Sequence, residues 1–555
     1  MLDMLLRRRR LVLSTTLLLA LTGLGSWLTM PREEDPQFPQ REGSLVTIFP
    51  GADALTVERL VIEPLEERLA EVAEINHVYS TARAGVSVQQ IELRESVYDT
   101  QSAWDEVEDA IEKAERDFPA GVLPPELDDN LVSQDAVVYA ITGSGDPHVR
   151  LDAAEAIKRQ MIALASVQEV EILADPGEQI TIEYDDATAR RLGISPGQLG
   201  QQIAERSRIV PGGVIHLGEK TATLRPQTEF RSVDEIRRTP ILLPSGASVP
   251  LSEIARVRLS PLEPAEEIMR WNGEPALAVS IVPQDGLDRV AFGAEIREQA
   301  GQILPSLDRV EVEEMFFQPD LVDDRLSELT GALQLGIFIV AGVLFLTMGL
   351  RLGVLVATVV PLVTFASVGL FAFGGGILHQ ISIAALVIAL GMLVDNAIVV
   401  VENIQFRVDE GLPVHQAAVE SVRELALPLG TATGTTLAAF VPMLIAEGNT
   451  ADFTRSIPVV IMLTLAVSYV FAILVTPVLS EMFLRPSKGD AGDERVRRLG
   501  RRLGRRAIRN PVLVLFGAFA LLGLTIFLSR FVDLRFFPAS DRPTVVVELE
   551  MPEGT

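Results

Sequence analysis

Apolar residues gather into seven long runs separated by polar and charged segments. The runs cover residues 11–30, 333–350, 352–374, 381–401, 425–445, 457–483 and 511–531. Each is close to the roughly 20 residues that a helix needs to cross the hydrocarbon core of a bilayer. The pattern therefore predicts an α-helical transmembrane bundle with about seven helices.

The first run follows four arginines at positions 7–10, an arrangement that signal peptides and membrane anchors share. The run is as long as a bilayer is thick, and no A-x-A-like cleavage site precedes Pro31. We therefore interpret residues 1–32 as a cytoplasmic N-terminus and an uncleaved first span. Since arginines also favour the cytoplasmic side at the ends of later runs, the long segment after the first span is predicted to lie outside the cytoplasm.

This long segment alternates short strands with amphipathic helices, which predicts an α+β fold. Residues 33–133 form a first unit, with a hairpin turning at Ala84–Gly85. A second unit begins in residues 134–186 and resumes in residues 263–328. Its strands are expected at residues 136–142, 167–173, 179–184, 275–282 and 309–317. Residues 187–262, rich in Gly and Pro, are predicted to be an inserted subdomain.

The C-terminal part of the chain carries a basic segment and a further span. After the bundle of residues 329–484, the basic residues 485–509 predict a cytoplasmic amphipathic helix on anionic lipid. Residues 510–532 hold the seventh span. Residues 533–555 echo the segment after the first span, so we expect a second copy of the repeat to begin there; two unrelated strands are the alternative.

Composition narrows the class of protein further. The 555 residues carry a net charge of −27, which argues against a nucleic-acid partner, and the absence of cysteine excludes disulfides and thiolate chemistry. No G-x-x-x-x-G-K-[ST] motif or nucleophile triad is present, so we predict no enzyme and no cofactor. The five histidines are scattered without metal-ligand spacing. A membrane protein with large aqueous domains remains.

The fourth run contains the candidate chemistry, in GMLVDNAIVVVEN at residues 391–403. A carboxylate at a helix centre costs about 2.5–3.5 kcal/mol on insertion scales, so Asp395 is expected to be paired, protonated or functional. We predict that it carries a proton and that Asn396, which cannot titrate, orients it. A permanently paired structural Asp395 is the alternative. Glu402 and Asn403 fit capping or helix packing.

A second motif lies in the fifth run. Gly430 and Gly434 form G-x-x-x-G among several threonines. Small residues at this spacing let two helices approach closely. We therefore expect this run to pack against the helix that carries Asp395.

Several motifs resemble the resistance-nodulation-division (RND) superfamily of transporters. They are GMLVDNAIVVVENI at residues 391–404, GLP at 411–413, FVPM at 440–443, TPVLSEMFLRP at 476–486 and FPGADALTVE at 49–58. The resemblance implies a proton antiporter of the bacterial inner membrane, driven by the proton-motive force. It implies a periplasmic porter domain of two ferredoxin-like subdomains with a docking subdomain, a homotrimer, a periplasmic adaptor protein and an outer-membrane channel.

Two departures from the family pattern concern the mechanism and the substrate. Drug exporters of this superfamily usually carry a second aspartate where this chain has Asn396, which leaves the proton stoichiometry open. Residues 136–139 and 172–174, where a drug pocket is expected, offer mostly aliphatic side chains. Export of hydrophobic or amphiphilic compounds is the leading interpretation. A heavy-metal exporter and a non-exporting relative for lipid or protein translocation are the alternatives.

Overall fold

The computed structural model describes residues 8–129, 135–207, 214–217, 220–223, 230–263, 265, 267–485, 500–502, 504–532 and 547. The chain divides into two units, residues 1–407 with 412–484, and residues 408–411 with 485–555. Most of the segment of residues 485–509 and nearly all of residues 533–555 lie outside the described residues. The predictions of a basic amphipathic helix and of a second repeat therefore stay predictions.

The main elements have the following bounds. The helices of seven or more residues are α1 (Arg9–Thr29), α2 (Glu63–Leu69), α3 (Thr100–Glu115), α4 (Pro147–Met161), α5 (Asp186–Leu192), α6 (Pro196–Arg206), α7 (Arg289–Ile303), α8 (Gln318–Phe373), α9 (Gln380–Asp409), α10 (Val414–Ile445), α11 (Ser456–Phe483) and α12 (Pro511–Ser529). The strands are β1 (Glu42–Ile48), β2 (Ile75–Arg83), β3 (Val86–Leu93), β4 (Glu126–Asp128), β5 (Val137–Thr142), β6 (Val167–Leu173), β7 (Glu178–Tyr184), β8 (Val214–Leu217), β9 (Lys220–Thr223), β10 (Pro240–Leu242), β11 (Ser248–Pro250), β12 (Ala255–Pro261), β13 (Met269–Trp271), β14 (Glu274–Pro283) and β15 (Glu311–Phe317).

Within the described residues, six helices are long and apolar enough to cross a membrane: α1, α8, α9, α10, α11 with the short helix before it, and α12. The 56-residue α8 contains both the second and the third apolar run. Gly349 interrupts its helical geometry with φ 78° and ψ 170°. Glycine adopts this conformation readily because it has no Cβ. All seven runs are thus helical, while the count of seven separate spans stays a prediction.

The first α+β unit has a four-stranded sheet in the order β2-β3-β1-β4. Its hairpin turns at Ala84–Gly85 as predicted, since Arg83 pairs with Val86 and Gly85 has φ +79°. Helix α3 begins where the Asp99 side chain accepts a hydrogen bond from the Ser102 amide. The apolar residues of α3 recur at helical spacing and enter a core with those of β1, β3 and α2.

The second α+β unit joins two separate stretches of the chain into one sheet. The order is β13-β14-β5-β15, and β6 pairs with the same strand β14. Strand β14, from the later stretch, pairs with β5 of the earlier one through Ala278 and Ala140. The later stretch thus shares one sheet with the earlier one, while the predicted bounds of the domains stay predictions. Strand β6 covers the predicted residues 167–173.

Between these stretches lies a smaller unit with its own core, which includes Ile194, Ile241, Leu251 and Val257. Helix α6 in this unit begins with a capping box of Ser195 and Gln198. Strand β7, which the sequence pattern grouped with the second unit, pairs with β12 across the insertion. The division into ferredoxin-like and docking subdomains stays a prediction.

Residues 31–35, here called the junction segment, join the end of α1 to three other parts of the chain. The Leu378 amide donates to the Pro31 carbonyl and the Glu33 amide to the Leu378 carbonyl, both at 3.1 Å. The Arg289 amide, at the start of α7, donates to the Arg32 carbonyl at 2.9 Å. Gln318, at the start of α8, donates from Nε2 to the Glu34 carboxylate at 3.2 Å. The membrane helices are thereby connected to the second α+β unit.

Candidate functional site

Helix α9 has two faces, and Asp395 and Asn396 lie on different ones. Leu393, Ala397 and Val400 are buried, at 2% exposure or less, and Asn396 shares their side at 8%. Asp395 lies on an exposed stripe with Ile388, Gly391, Val399 and Glu402. Three- and four-residue spacing produces this stripe, because such positions share one side of a helix. The carboxylate is thus the middle member of a mostly apolar exposed surface.

The surroundings of the Asp395 carboxylate differ from those of Arg407, the charged residue near the end of α9. Among the described residues, no hydrogen bond or ion pair joins it to a neighbour. At the end of the same helix, Arg407 donates to Asn403 Oδ1 at 3.1 Å and to Glu420 at 2.7 Å. Within the described residues Asp395 therefore does not hold helices together, and its role as a proton carrier stays a prediction.

Asn396 connects α9 to the next helix. Its Nδ2 donates to Thr433 Oγ1 of α10 at 3.4 Å, and both side chains are buried. One turn earlier, Ser468 Oγ of α11 donates to the Leu393 carbonyl at 2.7 Å. Two neighbouring helices therefore fix the rotation of α9 beside Asp395. Asn396 is placed next to the carboxylate along the chain but points away from it.

The prediction that α10 packs against α9 is confirmed by the Asn396–Thr433 hydrogen bond, but the two glycines of the motif do not form this contact. A Cβ at Gly430 would lie 2.8 Å from the Tyr469 hydroxyl of α11, so this glycine makes room for α11. The Tyr469 hydroxyl donates to the Ala426 carbonyl at 3.0 Å. A Cβ at Gly434 would meet no atom within 4 Å among the described residues. Helix α10 contacts α9 through Thr433, which lies between the two glycines.

The polar residues near the end of α9 confirm the interpretation of Asn403 as a packing residue. Its Oδ1 accepts a hydrogen bond from Ser421 Oγ of α10 at 2.7 Å, besides the one from Arg407. Arg407 also pairs with Glu424. Glu402 is exposed on the Asp395 stripe. These contacts bind the ends of α9 and α10 together two to three turns from Asp395.

At the opposite end of α9, His379 is 2% exposed and lies just before the helix. Its Nε2 is 3.1 Å from Ser456 Oγ, at the start of α11, and burial lowers its pKa to about 4. It is therefore uncharged at neutral pH. A groove of about 790 Å³ opens beside it, with a mainly apolar lining from the ends of α8, α10 and α11.

A buried ion pair that the sequence did not reveal links the membrane helices to the first α+β unit. Arg41, only 2% exposed, places Nη2 2.8 Å from Asp452 Oδ2 in the short helix Asn449–Thr454. Its Nη1 donates to Asn449 Oδ1 and its Nε to the Val97 carbonyl, both at 2.9 Å. Asn449 lies 408 residues away along the chain, so no local pattern announces the pair.

The expected drug-pocket strand is part of a core in this structure. All six residues of β5 are buried, and Tyr139 is 2% exposed. Val137, Tyr139 and Ile141 of this strand belong to the core of the second α+β unit. The described residues contain no group of three His, Asp or Glu side chains placed to hold a metal ion.

Comparison with known families identifies the class of protein. The model of the AcrB/AcrD/AcrF family matches residues 1–555, so the chain belongs to this family of the RND superfamily. This confirms the resemblance that the motifs of α9 carry. With six helices apolar enough to span a bilayer among its described residues, the chain is a multi-pass membrane protein.

One curated relative is the multidrug resistance protein MdtC of Pectobacterium carotovorum subsp. carotovorum (strain PC1). It is 26% identical over 484 residues, which are 85% of this chain and 46% of MdtC. The chain thus spans about half the length of this relative.

Proposed function

We propose that this chain works in a multidrug efflux transporter, which exports hydrophobic or amphiphilic compounds in exchange for protons that bind Asp395. The family and the multidrug relative support the export of such compounds. The position of Asp395 supports the coupling to protons. It is a carboxylate within a membrane helix, on an exposed face, without a hydrogen bond or ion pair among the described residues.

The surroundings that stabilise the Asp395 side chain depend on whether it is protonated. A neutral carboxylic acid is tolerated on an apolar face, whereas the carboxylate needs water or a cation, because an isolated charge is costly in a bilayer. Loading and release of the proton therefore favour two different positions of this face of α9. Asn396 and its bond to Thr433 hold the opposite face, so the change is passed to α10. This is how one proton drives a movement of helices.

The proposed setting is the bacterial inner membrane, with the α+β units on the periplasmic side. There the protein assembles as a homotrimer with a periplasmic adaptor and an outer-membrane channel. The separate core of the inserted unit, which includes Ile241 and Leu251, supports a role for residues 187–262 in docking to these partners. The family membership supports the same assembly.

The test replaces Asp395 with Asn, which keeps the shape of the side chain and removes the titrating group. Glu402→Gln is the matched control, since it neutralises a second carboxylate on the same exposed stripe two turns away. Dye efflux is measured in cells that produce the full-length protein, and proton movement in proteoliposomes. We expect Asp395→Asn to reduce both to background and Glu402→Gln to retain both. Efflux by Asp395→Asn at the level of the unaltered protein would remove Asp395 from the mechanism.

A further inference from the structure

The junction segment contains a buried carboxylate that has no part in the proposed efflux mechanism. Glu33 is 3% exposed, although it lies outside the membrane spans. Its Oε1 accepts a hydrogen bond from Gln37 Nε2 at 3.0 Å, and the nearby Gly286 backbone lowers the pKa of the carboxyl group slightly. A buried carboxylate needs a close cation or a proton to offset the loss of water.

Arg289, at the start of α7, is the cation that stabilises the charged form of Glu33 electrostatically. Within the described residues no ion pair of 4.0 Å or less joins the two side chains. Arg289 itself is partly desolvated, and its Nη1 is buried without a hydrogen-bond partner among the described residues. Asp285 also faces Glu33 and repels its negative charge. Arg289 thus offsets only part of the cost of burying Glu33 as a carboxylate.

Burial raises the pKa of Glu33 from its ordinary value of 4.5 to about 7. Arg289 lowers it and Asp285 raises it, each by less than burial does. Other charged groups nearby are engaged elsewhere: Asp288 caps α7, and Arg32 lies 3.9 Å from Asp323 of α8. His379, in the loop that the junction segment contacts, is uncharged at neutral pH.

We propose that Glu33 is a second proton-binding site, and that its proton stabilises the contact between the membrane helices and the second α+β unit. The backbone geometry carries this inference. Glu33 bonds to Leu378 before α9, and its neighbour Arg32 bonds to Arg289 of α7. Loss of the proton creates a buried charge between the loop before α9 and the start of α7. The charge attracts Arg289 and repels Asp285, so it pulls on the turn that starts α7.

The effect on stability has a definite sign. In the folded chain Glu33 keeps its proton at pH values where an unfolded chain has lost it. Folding therefore takes up a proton between about pH 4.5 and 7, and the stabilisation is present at low pH and lost as the pH rises through about 7. Because acidity strengthens the contact, this device responds to the pH on the side of the α+β units.

The test is infrared difference spectroscopy of the purified full-length protein in lipid nanodiscs, titrated between about pH 5 and 9. In an Asp395→Asn background, which removes the other carboxylate proposed to bind protons, we expect the band of one protonated carboxylic acid to disappear near pH 7 and to be missing after Glu33→Gln. Glu34→Gln, the matched control, neutralises the neighbouring carboxylate and retains the band. The melting temperature should fall less with rising pH in Glu33→Gln than in the unaltered protein.

Two further variants keep the proposal testable if Glu33→Gln does not fold. Arg289→Gln should move the midpoint of the band to higher pH, and Asp285→Asn should move it to lower pH. Retention of the band in Glu33→Gln, or an unchanged midpoint in both of the other variants, would overturn the proposal. Dye efflux is not part of this test, so the result does not depend on the proposed transport function.

Discussion

Replacement of Asp452 by Asn is expected to weaken the connection between the membrane helices and the first α+β unit. The substitution leaves the Arg41 guanidinium buried at 2% exposure without its counter-charge at 2.8 Å. Removing one partner of a buried ion pair typically costs about 3–5 kcal/mol. Asparagine keeps an oxygen that can accept a hydrogen bond, which places the expected cost near the lower end, about 3 kcal/mol. That is a large part of the stability of an ordinary domain.

The measurement is the melting temperature of the purified protein in detergent, together with limited proteolysis near the Asn449–Thr454 helix. We expect Asp452→Asn to melt earlier and to be cleaved faster there. Asp117→Asn is the matched control, because it removes the same charge from an exposed pair with Arg68 at 3.4 Å. Its melting temperature should stay that of the unaltered protein, since exposed pairs contribute little.

A double variant separates the loss of the pair from general damage at the site. Arg41→Met with Asp452→Leu replaces the buried charges with apolar side chains. Such a replacement is often neutral or stabilising, whereas a single substitution leaves an uncompensated charge. The double variant should therefore be more stable than Asp452→Asn alone. An unchanged melting temperature in Asp452→Asn, or a double variant as damaged as the sum of its single changes, would refute the reasoning.

Two other substitutions test the helix packing. Gly23→Ala should weaken the packing of α1 against α8 by about 1–3 kcal/mol or more, because its Cβ would lie 1.7 Å from the Phe365 carbonyl oxygen. Gly25→Ala is the control and should keep the melting temperature of the unaltered protein, since no atom of the described residues lies within 4 Å of its Cβ. Asn396→Asp should insert and fold, and its pH profile of efflux should differ from that of the unaltered protein because adjacent carboxylates titrate as a coupled pair; failure to reach the membrane would show that the contact with Thr433 leaves no room for charge.

The elements that depend on neighbouring residues could be predicted from the sequence. The hairpin at Gly85, the bounds of β6 and the position of Asp395 within a membrane helix all follow from local periodicity. These signals are local because a turn or an apolar face is determined by residues a few positions apart.

The contacts that join distant parts of the chain could not be predicted in this way. The pairing of β7 with β12, of Arg41 with Asp452, and of the junction segment with Arg289 bring together residues far apart in sequence. An arginine in a loop looks the same whether it becomes buried or stays in water. The local feature of the junction segment that the sequence does show is the charge-rich run of residues 32–35 directly after a membrane span.

The positions of these contacts decide how a movement at Asp395 would spread. One route leaves from the start of α9, where Gln380 donates from its backbone to the Glu34 carbonyl at 3.2 Å, and leads through the junction segment to α7. The other route leaves through Asn396 to α10, whose end connects to Asp452 and thus to Arg41. The route through the junction segment reaches the second α+β unit, and the route through α10 reaches the first α+β unit. Because the two routes leave α9 at different points, a tilt of this helix would displace the two units by different amounts, whereas a shift along its axis would move both together. If the proton proposed for Asp395 moves the two α+β units relative to each other, it must therefore tilt or rotate α9.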